Sequence, residues 1–309
     1  LSTIRLQPLA RARVASLGDE GAAWLAALPG MITDLEREWS ITVGRPLPGG
    51  SASYVARATD RDGQPVVLKL ALGTGGLLDQ AAALERADGR GYARLLNFDP
   101  TRNALLLEAL GAPLERSGLS VEQQLDTLVD TLAIAWQPVG DKPPPEPGQD
   151  KASGLHGLIS DLWPQLGHPC PERVVRQALD YADRLRSPDP AELVIVHGDP
   201  HPANALAVPA TRPGAETGYC FVDPDAFVAD RAYDLGVALR DWGAHLSGPD
   251  ARRTAERFAG LLAERSGVDL TRIWQWGYLE RVSTGLYLLS FGGTELGMRF
   301  LDVAERLAD

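Results

Sequence analysis

The sequence predicts an α+β chain of two lobes, a small β-rich lobe over residues 1–110 and a larger, mainly helical lobe over residues 111–309. Three observations carry this. Short apolar strands separated by turn residues fill the stretch from Ile41 to Leu107, helical spacing dominates after Gly111, and a brief β-rich island at 193–222 interrupts the helices. The length of 309 residues is enough for a sizeable core in one large domain or two smaller ones.

The elements follow in order. Trp24, Leu25, Leu28, Ile32, Leu35 and Trp39 recur at helical spacing, so residues 21–39 read as one or two amphipathic helices, with a break expected at Pro29-Gly30. Ile41 and Val43 begin a strand that enters the turn-rich Pro46-Leu47-Pro48-Gly49-Gly50. Residues 53–58 read as a strand, Asp60 to Gly63 as a hairpin turn, and residues 65–72 as a strand that is apolar except for Lys69. A helix is expected over 77–87, then strands at 93–98 and 104–107 around the turn Asp99-Pro100-Thr101-Arg102-Asn103.

Beyond Gly111, Leu125, Leu128, Val129, Leu132 and Trp136 mark one face of a helix over 121–136. The Pro-rich stretch 138–147 cannot be helical and is expected as a loop or linker. Further helices are expected over 155–166, 172–185, 251–266, 270–289 and 294–307, with strands at 193–196, 205–208 and 219–222.

Composition narrows the function classes. The formal charge of −11, from 30 Lys+Arg against 41 Asp+Glu, argues against nucleic-acid and anionic-membrane partners, both of which need a basic face. It suits a cationic small molecule, or simply a soluble acidic protein. Cys170 and Cys220 stand alone, so neither a disulfide framework nor a structural zinc site is expected. The first 13 residues carry Arg5, Arg11 and Arg13 without an apolar core, and no apolar run nears the roughly 18 residues of a membrane span. A cytoplasmic protein is expected, its oligomeric state (monomer or dimer) left open.

The island carries the chemistry. The strand Val194-Ile195-Val196 runs into His197-Gly198-Asp199-Pro200-His201-Pro202-Ala203-Asn204, and nineteen residues beyond Asn204 the strand Tyr219-Cys220-Phe221-Val222 ends in Asp223. An apolar strand ending in His-x-Asp, an Asn five residues on and an Asp at the next strand end form the catalytic-loop pattern of the protein-kinase superfamily. Phosphoryl transfer needs one carboxylate to take or orient the attacking hydroxyl's proton, and Asp199 is the candidate. It also needs hard oxygen ligands holding Mg²⁺ against the phosphates, which suits Asn204 and Asp223. The alternative is that His197, Asp199 and Asn204 only close a tight turn through side-chain-to-backbone bonds.

Lys69 is a charge inside an apolar strand, and in a kinase that lysine meets the nucleotide phosphates. Simple alternation toward water is the other possibility. The glycine-containing loop 48–53, with Gly50 and Ser51 at its centre, can lay backbone N–H groups over phosphates, or form an ordinary hairpin loop. Gly73-Thr74-Gly75-Gly76 reads as the turn after the Lys69 strand, and no GxxxxGK[ST] is present.

With these residues in place, the chain resembles the aminoglycoside-phosphotransferase-like kinases, in particular the streptomycin 6-phosphotransferase and hydroxyurea phosphotransferase group. The resemblance runs from Ala22-Ala23-Trp24-Leu25 through Val67-Leu68-Lys69-Leu70 and Gly89-Arg90-Gly91-Tyr92 to Phe221-Val222-Asp223-Pro224-Asp225 and Asp230-Arg231-Ala232-Tyr233-Asp234. It implies a protein-kinase-like bilobal fold, with a nucleotide-binding first lobe and a catalytic, acceptor-binding second lobe. It further implies Asp199 as catalytic base, Asn204 and Asp223 on magnesium, Lys69 on the ATP phosphates, backbone groups of Glu108 to Leu110 at the adenine, and Asp234 bracing the catalytic loop. The family's helix after the lysine strand usually offers a Glu to that lysine. Here Gln80 or Ala82 stands in its place, with Asp79 a shorter substitute and Glu85 off the helical period.

The resemblance implies an ATP- and Mg-dependent phosphotransferase acting on a hydroxyl of a small cationic acceptor such as streptomycin. A metabolic kinase for an amino sugar, an amino alcohol or a hydroxyurea-type acceptor is the alternative, and a catalytically silent nucleotide-binding module is another. Streptomycin carries guanidinium groups, so carboxylates are expected near Asp199. Asp225 and Asp230 are candidates with Trp242 as a flat wall, while Asp241 reads as a solvated surface residue and Trp242 alternatively as a core anchor.

Overall fold

The computed structural model describes residues 11, 14–47, 53–72, 77–140, 143–146 and 148–309. The chain divides into two compact units, Leu1–Gly111 and Ala112–Asp309.

In the first unit, helix α1 (Gly18–Trp39) precedes strands β1 (Ile41–Pro46), β2 (Ser53–Asp60) and β3 (Pro65–Ala71), helix α2 (Leu77–Ala87), and strands β4 (Leu95–Asp99) and β5 (Ala104–Glu108). The strands form one antiparallel sheet in the order β1-β2-β3-β5-β4. Period-two alternation divides its central strand. Val66, Leu68 and Leu70 join Ala56 and Ala58 in a core built against Leu28, Ile32 and Leu35 of α1. Lys69 therefore belongs to the opposite face, where it pairs in register with Val55 and Leu105 and reaches Gln80 of α2.

Helix α1 runs unbroken through Pro29. Pro29 costs the Leu25 carbonyl its helical donor, while buried Leu28, Ile32 and Leu35 on either side hold the helix to the sheet.

The second unit contains α3 (Val121–Ala135), β6 (Gln137–Pro138), α4 (Lys151–Gln165), α5 (Glu172–Leu185), β7 (Leu193–Ile195), β8 (Ala205–Ala207), β9 (Tyr219–Phe221), β10 (Val228–Asp230), α6 (Arg231–Arg240), α7 (Ala251–Ser266), α8 (Leu270–Ser290) and α9 (Thr294–Leu307). Ser120 and Gln123 cap α3 reciprocally, and Asp150 caps α4 by accepting the Ser153 N–H at 2.9 Å, which starts that helix four residues before the expected 155. Strands β10, β7 and β6 form a small sheet, and β8 pairs with β9 as a hairpin.

Helix α6, β10 and β6 were not legible in the sequence. Every residue of α6 from Ala232 to Arg240 is buried, so it has no polar face and shows no amphipathic period. It packs on α8 with almost no side chain between the backbones. A Cβ on Gly236 would lie 2.4 Å from the Cβ of Trp276 and 2.7 Å from the Gly277 nitrogen, and only glycine fits. That close approach brings Tyr233 beside Glu280, and Arg240 beside Glu280 and Thr284.

Candidate active site

The site in the second unit is built on the turn between β7 and β8. Val196 continues from β7 and donates its N–H to the Phe227 carbonyl at 2.9 Å, fixing where the strand lets go. His197 is fully buried, and both ring nitrogens are used. Nδ1 accepts the Asp199 N–H at 3.0 Å and Nε2 donates to the Val222 carbonyl at 3.0 Å, which sets the neutral tautomer. Burial holds the ring neutral, pushing its pKa down to about 4. Phe221 packs against it at 4.8 Å between ring centroids.

Gly198 follows at φ +95°, and a Cβ there would meet the Cβ of Asp225 at 2.6 Å. Asp234 of α6 takes the turn's free donors: its Oδ2 accepts the His197 N–H at 2.8 Å and the Trp136 Nε1–H at 2.9 Å, and its Oδ1 accepts the Gly198 N–H at 2.9 Å. Burial outweighs these three bonds and raises its carboxyl to about 6. The Tyr233 hydroxyl lies 3.2 Å from the Gly198 carbonyl and 2.6 Å from Glu280.

The Asp199 side chain, 36% exposed, is the open end of this construction. Its Oδ1 accepts from Arg240 at 2.8 Å, and its Oδ2 lies 3.4 Å from His201 Nε2. Burial acts to raise the Asp199 pKa, but the Arg240 charge, with His201 behind it, holds the carboxyl well below the usual carboxylate range. His201 responds in the opposite sense. Burial lowers its pKa, while Asp199 and then Asp241, 3.8 Å from Nδ1, leave it raised overall.

A fully paired turn that leaves one charged carboxylate facing outward suits group transfer more than simple chain reversal. Residues 38–292 match the family described as aminoglycoside/hydroxyurea antibiotic resistance kinase. The chain belongs to this family. It is 30% identical to the streptomycin 6-kinase of Streptomyces glaucescens, over 97% of this chain and 96% of that one. With the hydroxyurea phosphotransferase of Kitasatospora aureofaciens it shares 27% identity, over 94% and 82% of the two chains. A solved choline kinase from Streptococcus pneumoniae superposes with a TM-score of 0.59 at 15% identity, over 90% of this chain and 99% of that one. The fold is that of the protein-kinase-like phosphotransferases.

As an antibiotic resistance kinase, the protein is a phosphotransferase that acts on a hydroxyl group of a small molecule, with ATP as the phosphate donor the family implies. No described helix is long and apolar enough to cross a membrane.

The remaining expected residues of this kinase fall in different places. Asn204 closes the turn, its Nδ2 donating to the Asp199 carbonyl at 3.0 Å. Its own carbonyl accepts the Val222 N–H at 2.9 Å, so Asn204 and Asp223 leave neighbouring backbone positions. Asp223 has the left-handed φ of +59°. Asp225 is exposed on the next turn, its N–H bonded to the His197 carbonyl at 2.7 Å.

Asp230 and Trp242 are occupied within the protein. Asp230 is buried and accepts from Arg272 at 2.5 Å. Trp242 is buried with its Nε1–H on the Ala238 carbonyl at 2.8 Å and its ring edge-on to Phe258. Among the described residues Asp230 Oδ1 has no hydrogen-bond partner, but it is buried, as is the Trp242 ring. Asp241 is no solvated surface residue either: it is half-buried and binds Arg240 Nε at 2.9 Å.

In the first unit, Lys69 is buried and its Nζ donates to Gln80 Oε1 at 2.9 Å. Gln80 of α2 thus meets the lysine through its amide oxygen; Asp79, Ala82 and Glu85 have exposed positions on the same helix. Glu108 ends β5, its Oε1 accepting the Arg94 N–H at 2.9 Å, and Leu110 is half-buried beyond it. Gly50 and Ser51, with the rest of 48–52 and Gly73 to Gly76, lie outside the described residues.

Sequence reasoning missed Arg240, Tyr233 and Glu280. One signal was available. Arg240 ends the apolar run Leu235-Gly236-Val237-Ala238-Leu239, and a cation in a wholly buried helix requires carboxylates around it.

Proposed function

We propose that this kinase transfers the γ-phosphoryl group of Mg·ATP to a hydroxyl of a small cationic acceptor, streptomycin or a related aminoglycoside. The observation that carries the reading is the Asp199 carboxylate, outward-facing at the end of a turn whose backbone is pinned by Asp234 and whose Oδ1 is held by Arg240. Asp199 Oδ2 accepts the hydrogen bond of the acceptor hydroxyl and aims its oxygen at the γ-phosphorus. As the new O–P bond forms and the bond to the β-phosphate oxygen breaks, ADP leaves and the hydroxyl proton passes to Asp199. Arg240 keeps the proton affinity of that carboxylate low, so the proton moves late, which suits a loose transition state.

The donor set fits magnesium. With its amide N–H group turned to the Asp199 carbonyl, Asn204 has its side-chain oxygen available, and Asp223 follows Val222, whose N–H bonds the Asn204 backbone carbonyl. Asn204 and Asp223 would hold the ion, hard oxygen donors of the kind magnesium takes. It would supply neutralisation of phosphate charge. Lys69 would hold the nucleotide phosphates, and the backbone of Glu108 to Leu110 the adenine.

A cationic acceptor is supported by charge. Asp199, Asp241 and Glu280 gather on the Arg240 guanidinium, with His201 between Asp199 and Asp241, and Asp225 adds an exposed carboxylate one turn away. The identity to a streptomycin 6-kinase supports the same choice. Hydroxyurea is the second reading, favoured by the 27% identity to a hydroxyurea phosphotransferase.

The test is acceptor-stimulated ADP release with Mg·ATP, run with streptomycin, hydroxyurea, amino sugars and amino alcohols. Stimulation by streptomycin that disappears in Asp199→Asn is expected. Stimulation by another hydroxyl compound alone would replace the acceptor, and an Asp199→Asn enzyme with near-normal turnover would overturn the mechanism. Tight ATP binding with no release under any acceptor would favour a silent nucleotide-binding module.

A further inference from the structure

We propose that Arg240 is a positioning residue for phosphoryl transfer: by taking Oδ1 of Asp199 it leaves Oδ2 as the atom that receives the acceptor hydroxyl. The inference rests on the reading of Asp199 given above.

The argument begins with the guanidinium itself. Arg240 is buried, its side chain only 11% exposed, and each nitrogen has its own acceptor. Nε donates to Asp241 at 2.9 Å, NH1 lies 3.4 Å from both Glu280 and Thr284 Oγ1, and NH2 donates to Asp199 at 2.8 Å. A planar fork held at three corners has no rotational freedom left, so its NH2 group is a fixed point in the protein.

An Asp carboxylate at the end of a turn would otherwise rotate about χ2, a broad torsion with little intrinsic preference. Here the fixed donor captures one oxygen, and the other stands beside His201. The backbone under the carboxylate is fixed by the same helix, because Asp234 and Tyr233 grip Gly198 from α6 while Glu280 on α8 ties Tyr233 to Arg240. Main chain and side chain of the reacting carboxylate are thus referred to one rigid element.

The competing explanation is charge balance: Arg240 would merely neutralise Glu280 and Asp241 in the interior. The two accounts separate in a double variant. Arg240→Met leaves Glu280 as a buried unpaired charge, and adding Glu280→Gln removes that charge while keeping an acceptor for the Tyr233 hydroxyl. Charge balance predicts that the double variant regains both melting temperature and turnover. Positioning predicts that it regains melting temperature alone.

The experiment measures ADP release at saturating Mg·ATP for wild type, Arg240→Met, Arg240→Lys, Arg240→Met/Glu280→Gln and Asp199→Asn. Streptomycin is the acceptor in one arm and water alone in the other, with thermal melts alongside. Arg240→Met is expected to lose about 100-fold in kcat with both acceptors, the scale of a misplaced reacting group, while the nucleotide KM stays within about threefold. Arg240→Lys keeps the charge without the fork and is expected to lose about tenfold. Millimolar methylguanidinium is expected to restore part of the kcat of the Met variant and none of that of Asp199→Asn. The inference is overturned if Arg240→Met turns over within about threefold of wild type, or if the double variant recovers kcat together with stability. An active Asp199→Asn enzyme, or a wild type silent in both arms, would instead overturn the functional reading on which this one stands.

Discussion

Lys69 Nζ donates to Gln80 Oε1 at 2.9 Å, and both side chains are buried. An amide oxygen thus meets a lysine that the family's pattern pairs with a carboxylate. The alternation of β3 puts Lys69 on the face away from Leu68 and Leu70, and helix α2 delivers Gln80 to it. Replacing Gln80 by Leu removes an acceptor from a buried ammonium, a bond to a charged group worth about 1.5–3 kcal/mol. Gln80→Leu is expected to weaken nucleotide binding about tenfold, and isosteric Gln80→Glu to stay within about threefold, because a carboxylate accepts the same bond. Displacement of a fluorescent ATP analogue checks both.

Gly198 has no tolerance for a side chain. Its φ of +95° lies outside the range of alanine, and a Cβ would sit 2.6 Å from the Cβ of Asp225. Gly198→Ala is expected to destabilise the protein by about 2 kcal/mol or more and to lower kcat by at least about tenfold, since relief of the clash must shift Asp199. Urea unfolding and steady-state kinetics on the same preparation measure the two effects. Stability and kcat both unchanged would show that the turn gives way without moving Asp199.

Asp234 accepts from three donors, the backbone N–H groups of His197 and Gly198 in the turn and the Trp136 indole beside it. Asp234→Ala strands the backbone N–H groups of His197 and Gly198 and the Trp136 indole, a loss of about 3 kcal/mol or more. Asp234→Asn keeps one oxygen and turns its NH₂ toward a donor, so it is expected to rank between wild type and Ala. Amide hydrogen exchange at Gly198 is expected to accelerate in the same order. Unchanged protection in the Ala variant would contradict the role.

Two buried groups oppose each other in the pH dependence of stability. His197 is depressed to about 4 from an unfolded value near 6.5, so the unfolded chain binds the proton first. Its contribution is full above pH 6.5 and is lost as the pH falls through 4. Asp234 is raised to about 6 from 3.8, so its contribution is present below 3.8 and lost as the pH rises through 6. The slopes have opposite sign over the shared window, and the wild-type profile is expected to be shallow between pH 4 and 6. The stability difference between wild type and His197→Gln is expected to shrink by about 2–3 kcal/mol from pH 7 to pH 4.5. Urea midpoints of the pair at the two pH values test this, and a constant difference would remove the assignment of a buried neutral histidine.

Much of the fold was legible because its signals are local. The apolar run of 65–72, the hairpin turn at Asp60 to Gly63 and the helical spacing of 121–136 each need only a few neighbouring residues. Where the reading differed, the environment decided. Pro29 fails to break α1 because buried Leu28, Ile32 and Leu35 hold the helix on both sides of it, and α6 gave no period because its residues from Ala232 to Arg240 are all buried.

The sequence by itself determined the α+β class, the family and the contiguous turn from His197 to Asn204, since a strand, a tight turn and a second strand follow from the order of residues along a short stretch. Only the tertiary structure decided what surrounds that turn. Asp234, Arg240 and Glu280 reach it or its partners from 36 residues away and beyond, Asp230 and Trp242 make contacts within the protein, and Gln80 is brought to Lys69. The reason is geometric. The bonds of Tyr233 and Arg240 to Glu280 depend on how closely α6 and α8 approach, and that distance is set by Gly236 against Gly277, positions whose meaning appears only when the backbones are brought together.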